Sequence, residues 1–174
     1  MIRARPINHD GKESMTQTKK EVIQAKLSAI RDELNATVRA LTPEQWSTKA
    51  YSEGSEWQVI DILRHVADSE RGMTSLMIQI KGGGDGVPAD FDLTRWNQRV
   101  VSKLADKGPQ DLVDGMAQNR VALFAFIDEL EDEDWGKKGR HASLKIMTIE
   151  EVCHLIADHE ALHLAGIREA LSTN

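Results

Sequence analysis

The stretch HEALHLAGIRE, residues 159–169, decides how this chain is read. It has the form H-E-x-x-H, extended to H-E-x-x-H-x-x-G-x-x-E, and on a helix it sets His159 and His163 on one face. Two readings compete. In the first it is the zinc helix of a protease, with Glu160 as general base and Glu169 as a further ligand. In the second the two histidines are ligands inside some other helical fold. The protease reading needs the chain to turn at the glycine, yet the helical pattern runs through Gly166 to Leu171. It also needs a strand to hold the substrate, and no segment alternates convincingly with period two. Val152, Leu155, Ile156, Ile167 and Ala170 share the face of His159 and His163, so both rings are expected in the core stripe. Buried imidazoles need partners, and one metal ion would serve both. The bland alternative is two core histidines bonded to neighbouring groups. His154 points the other way and is set aside.

Working outward, Thr148-Ile-Glu-Glu151 is a capping box that starts this last helix. Ile23, Leu27, Ile30, Leu34, Thr37 and Leu41 trace one stripe of a long first helix. In ALTPEQW, 40–46, Thr42 can cap, Pro43 suits a first helical position and Gln45 completes a box, so a short helical turn follows. Ser55-Glu-Trp-Gln58 reads as the cap of a second long helix, reaching about Ile80 on a stripe of Val59, Ile62, Leu63, Val66, Met73, Met77 and Ile80. KGGGDGVPAD, 81–90, is expected to be a flexible loop. A shorter helix over 92–105 has Leu93, Trp96, Val100 and Leu104 on one side and stops at Gly108-Pro109. A third long helix covers about 110–131, with Leu112, Met116, Leu123, Ile127 and Leu130 on its face. The expectation is all-α: a four-helix bundle with extra short helices. Residues 1–17 read as a polar tail and 18–174 as one domain. Met15 offers a second start, which leaves open whether 1–14 belong to the natural protein.

A faint repeat runs through this layout. ALTPEQW and ELEDEDW (129–135) each end a long helix in a Trp. Each is followed by a loop, a capping box and a helix carrying VADSE (66–70) or IADHE (156–160). Two related helical hairpins would produce that pattern.

With 174 residues, 40% hydrophobic and 29% charged, the chain has the composition of an ordinary globular protein. Its net charge of −6 argues against nucleic acid or an anionic membrane as partner. The longest apolar run, VALFAFI at 121–127, is far short of the ~20 residues that span a bilayer. A single cysteine, Cys153, excludes an intrachain disulfide and fits a cytoplasmic setting. Cys153 reads as packing. Long amphipathic helices leave room for a homodimer.

A metal needs a third ligand. His65, on the flank of the second helix, reads equally as that ligand or as a boundary histidine bonded to Asp61 or Ser69. Arg120 falls on the stripe of the third long helix. It is a candidate for holding an anionic substrate, or a boundary arginine whose head pairs with an acid. Glu160 is a candidate base, or a solvated helix residue. Trp46 and Trp135 read as loop anchors.

VIDILRHVADSE (59–70) and LIADHEALHLAGI (155–167) resemble the two signatures of the DinB superfamily, the DinB/YfiT-like metalloenzymes. The Leu-x-x-Glu-x-Trp hairpins and FDLTRWNQRVV (91–101) extend the resemblance from about Thr18 to Leu171. It implies a four-helix bundle. It implies one divalent ion, zinc or nickel, held by His65, His159 and His163. It places Trp96 and Asn97 at the mouth of the site. Better-understood relatives are bacillithiol transferases and mycothiol-dependent maleylpyruvate isomerases. The resemblance therefore implies transfer of a low-molecular-weight thiol to an electrophile, with small-molecule thiol and electrophile as partners. A metal-dependent hydrolase and a non-catalytic metal-binding or stress-induced protein are the alternatives.

Overall fold

The computed structural model describes residues 18–173 apart from Glu53. The expected polar tail, 1–17, lies outside the described residues. Four long helices, α1 (Lys19–Arg39), α2 (Val59–Lys81), α4 (Pro109–Asp128) and α5 (Ile149–Ser172), form the bundle, and α3 (Leu93–Lys103) packs on α2. Around the bundle axis α2 lies against α4 and α5, and α1 closes the ring against α5 and α4. The expected stripe of α2 is buried throughout. So are the named residues of α4 and the adjoining Leu130.

The helix starts follow the caps. Thr18 and Glu21 form a reciprocal box at α1, and Thr148 and Glu151 do so at α5. Thr42 and Gln45 also bond reciprocally, ahead of a 3-10 turn over Gln45–Ser47. No helix of the described residues is long and apolar enough to cross a membrane.

Several expectations are corrected. Two antiparallel hairpins are present among the described residues, where no strand was expected. They are β1 (Lys49–Ser52) with β2 (Ser55–Gln58), and β3 (Lys138–Arg140) with β4 (Ile146–Thr148). The Ser55–Gln58 box is therefore not a cap. These residues pair with β1, and α2 starts at Val59, where the Asp61 carboxylate accepts from the Gln58 N–H at 3.1 Å. Strands of three or four residues are too short to show a period, and only their pairing reveals them. On α1 the innermost line is Ile23, Leu27, Arg31, Leu34 and Val38, one position away from Ile30 and Thr37. On α3 it is Asn97 and Val100 that are buried, while Trp96 is 44% exposed beside Phe91. The glycine loop is pinned to the second hairpin: the Arg140 N–H donates to Asp85 O, and the Val87 N–H donates to Arg140 O.

Arg31 belongs to a layer that crosses the bundle. Its guanidinium bonds Glu160, with Nε to Oε1 at 2.5 Å, and also Glu70. Arg120 bonds the same two acids, Nε to Glu70 Oε1 at 2.6 Å and Nη2 to Glu160 Oε2 at 2.7 Å. All four residues are at most 8% exposed. One long helix supplies each, so α1, α2, α4 and α5 are tied together at one level. Apolar clusters fill the bundle on both sides of that layer.

The layer also shows that the repeat is structural. Arg31 and Arg120 lie 89 positions apart, as do Leu27 and Met116, and Trp46 and Trp135. Glu70 and Glu160 lie 90 apart, and so do Val59 and Ile149. Arg31 donates to the Met116 carbonyl, and Arg120 donates to that of Leu27. The Val59 N–H reaches Thr48 O just as the Ile149 N–H reaches Lys137 O. Reciprocal contacts of this kind are those of an approximate twofold axis that exchanges the two halves.

Removing one partner from a buried ion-pair network leaves a charge uncompensated. Arg31→Met and Arg120→Met are each expected to lower the unfolding free energy by about 3–5 kcal/mol, and by similar amounts, since they occupy equivalent places. Replacing all four residues together by apolar ones of similar volume should cost far less. Urea unfolding followed by circular dichroism measures both.

Candidate metal centre

Three imidazoles meet between α2 and α5. The Nε2 atom of His159 lies 3.1 Å from that of His65 and 3.0 Å from that of His163. His65 and His163 are buried and His159 partly so. α2 brings His65 in beside the Trp57 ring of the first hairpin, and α5 brings the i, i+4 pair. Ser52, at the end of β1, places its Oγ 3.2 Å from His163 Nδ1. Ser69 Oγ lies 3.4 Å from His65 Nε2 and donates to the His65 carbonyl at 2.8 Å.

Burial holds all three rings neutral. It pushes the pKa of His65 to about 3, helped by His159, and that of His163 to about 2, helped by His159 and His65. It takes His159 to about 4, helped by His141. Neutral imidazole is the form that binds metal. The donor geometry fits an ion. A neutral Nε2 either donates or accepts, so His159 Nε2 cannot satisfy two facing nitrogens by hydrogen bonding. Nitrogens about 2.1 Å from a shared ion would be separated by roughly 3.0–3.4 Å, which is the spacing of the His65–His159 and His159–His163 pairs.

The remaining candidates fall elsewhere. Arg120 and Glu160 meet each other in the buried layer, and Glu160 is 2% exposed rather than solvated. Asp61 pairs with Arg64, not with His65. Glu169 is exposed and stands outside the histidine group. Cys153 is buried with its Sγ 3.5 Å from Met77 Sδ, and burial raises its thiol to about 12, so it packs and does not react. His154 is half-buried. A surface hollow lined by Leu41, Pro43, Trp46, Ile60, Arg64 and Lys107 includes none of the three histidines. Sequence reasoning missed Arg31, Glu70 and Ser52. For the first two a signal existed, since Arg31 continues the Leu27–Leu34 stripe and Glu70 repeats as Glu160. For Ser52 there was none.

The family model of the DinB superfamily matches residues 26–167. No curated protein matches in sequence. Among solved structures, YfiT from Bacillus subtilis is 21% identical over 93% of this chain and 91% of its own, with a TM-score of 0.72. It is described as a probable metal-dependent hydrolase with an unusual four-helix bundle topology. The mycothiol-dependent maleylpyruvate isomerase is 12% identical, with a TM-score of 0.70. That match covers 85% of this chain but 60% of the isomerase. An uncharacterized protein from Clostridium difficile 630 is 17% identical over 89% of this chain and 96% of its own, with a TM-score of 0.62. At these identities the structural matches establish the fold alone.

The pKa shifts make a prediction for the metal-free protein. Each folded histidine titrates below its unfolded value near 6.5, so the unfolded chain takes up protons that the folded chain refuses. Their contribution is complete above that value and is lost as pH falls toward the folded values. Stability should drop by about 1.4 kcal/mol per pH unit for each such histidine below pH ~6.5. Thermal melts of metal-free protein between pH 7 and 5 measure this, and a His65→Ala, His159→Ala, His163→Ala triple variant should show a shallower slope.

Proposed function

This chain belongs to the DinB superfamily, and from that premise we propose that it is a divalent-metal enzyme that transfers a low-molecular-weight thiol to an electrophilic small molecule. The observation that carries the reading is the convergence of three neutral Nε2 donors from His65, His159 and His163. Three protein ligands leave an ion an open position, as catalytic sites require. Zinc and nickel are the candidate ions. When bound, the ion lowers the pKa of a thiol so that it is present as the nucleophilic thiolate.

The residues of the chain do the rest. Ser52 fixes the plane of the His163 ring through Nδ1. The buried layer locks the rotation of α2 and α5, because Glu70 follows His65 on one and Glu160 follows His159 on the other. Trp57, packed beside His65, and the burial of His65 and His163 supply dry surroundings in which electrostatic effects are strong. Cys153 is buried with its thiol raised to about 12, which supports a thiol that arrives as substrate rather than one supplied by the protein. A hydrolase is the second reading. It is favoured by YfiT, which is described as such and is matched over nearly its whole length.

Metal content by mass spectrometry on untagged protein comes first. Wild type and Glu169→Ala are expected to carry near one ion per chain, and His65→Ala to lose it. The loaded protein is then given bacterial thiols with a panel of electrophiles, and separately esters and amides without thiol. Thiol-dependent loss of electrophile supports transfer. Thiol-independent cleavage supports the hydrolase instead. Binding of metal with no turnover in either panel leaves a metal-binding module.

A further inference from the structure

We propose that His141, at the tip of the second hairpin, forms the wall of the site opposite Ser52 and donates its Nε2 proton to a carboxylate or carbonyl oxygen of the bound substrate. The inference rests on the reading of the three histidines as a metal centre with an open position.

The twofold relation places the residue. Ser52 and His141 lie 89 positions apart, the same interval as Arg31 and Arg120. They are equivalent residues at the ends of β1 and β3. The axis exchanges α2 and α5, which run antiparallel: His65 faces His159, and Met77 faces Cys153. An axis that exchanges two antiparallel helices stands perpendicular to the plane containing them. It therefore carries the first hairpin to the second without changing sides. Ser52 touches His163 from that side, so His141 stands on the same side at the other end of the helix pair. His141 lies close enough to His159, the histidine nearest the axis, to contribute to its lowered pKa. The equivalents of His65, His159 and His163 in the other half are Leu155, Ser69 and Met73. The floor in front of His141 is thus apolar apart from the Ser69 hydroxyl, and holds no second metal group among the described residues.

The tautomer of His141 is set by its own hairpin. Its Nδ1 accepts the Ser143 backbone N–H at 3.1 Å, with Ser143 Oγ at 3.0 Å. A neutral imidazole that accepts at Nδ1 carries its proton on Nε2. Burial lowers the pKa of His141, which favours this neutral form. The tip that holds it is closed by the His141 N–H donating to Lys145 O and the Leu144 N–H donating to His141 O, both at 2.8 Å. Leu144 takes a left-handed backbone, φ 64°, to complete that turn. A branched side chain adopts that conformation at a cost and does so where surrounding structure demands it. The hairpin thus keeps the His141 proton on Nε2, on the side of the helix pair that Ser52 approaches. A substrate bearing a thiol at one end and an oxygen acceptor at the other would span from the three histidines to it.

The test uses cobalt-loaded full-length protein and two probes, 3-mercaptopropionate and ethanethiol, followed by visible absorption. Both probes carry a thiol, and only the first has a carboxylate. Wild type is expected to prefer 3-mercaptopropionate about tenfold more strongly than His141→Ala does, the size of one hydrogen bond to a charged group. His141→Gln, which keeps an N–H near Nε2, should restore most of the preference, and all three proteins should hold equal cobalt. On zinc-loaded wild type, the His141 ¹⁵N signals should shift with 3-mercaptopropionate and not with ethanethiol, which tests the contact without any variant. Equal preference in wild type and His141→Ala, or no His141 shift, overturns this inference and leaves the metal reading standing. Failure of wild type to take up cobalt or zinc overturns both.

Discussion

Four charges buried at one level hold the bundle in register. Arg31, Glu70, Arg120 and Glu160 sum to zero charge, and each guanidinium also finds a backbone carbonyl. An apolar core tolerates small slides and rotations of its helices, because methyl groups are interchangeable neighbours. A guanidinium between two carboxylates does not, since a shift of about an ångström breaks bonds that water cannot replace inside the core. The layer gives the bundle a specific rotation for each long helix, and the two apolar clusters fill the space on either side.

That constraint is what a three-histidine site requires. His65 lies about one turn from Glu70, and His159 is next to Glu160. Once both glutamates are clamped, the faces of α2 and α5 that meet are decided, and the three Nε2 atoms converge without help from a loop. Ser52 adds the remaining orientation at His163. Ligands on rigid helices keep their geometry better than ligands on loops, and a supported ligand sphere is what tunes a bound ion.

The two halves share a frame and differ in chemistry. Caps, tryptophans, hairpins and the charged layer recur at intervals of 89 or 90 residues. The histidines do not. Their counterparts Leu155, Ser69 and Met73 include two apolar side chains, so one end of the α2–α5 contact gathers three histidines and the other is packing. Stability arises from what the halves have in common, and the site from where they differ.

Read alone, the sequence determined the long helices, the cap of the last one and the bundle class, and it carried a trace of the repeat. It also placed His159 and His163 together on an inward face. Apart from the repeat, these signals are local: period, cap chemistry and i, i+4 spacing lie within a few residues of one another. Only the tertiary structure decided the two hairpins, the partners of Arg31 and Arg120, the burial of Glu160 and the arrival of His65 at the pair. Apart from the hairpins, which are local, these depend on contacts between distant segments. A strand of three residues has no period, and an arginine on a stripe reads as a boundary residue until its acid arrives from another helix. His65 could be read either as a ligand or as a bystander, because the deciding neighbour lies 94 positions away.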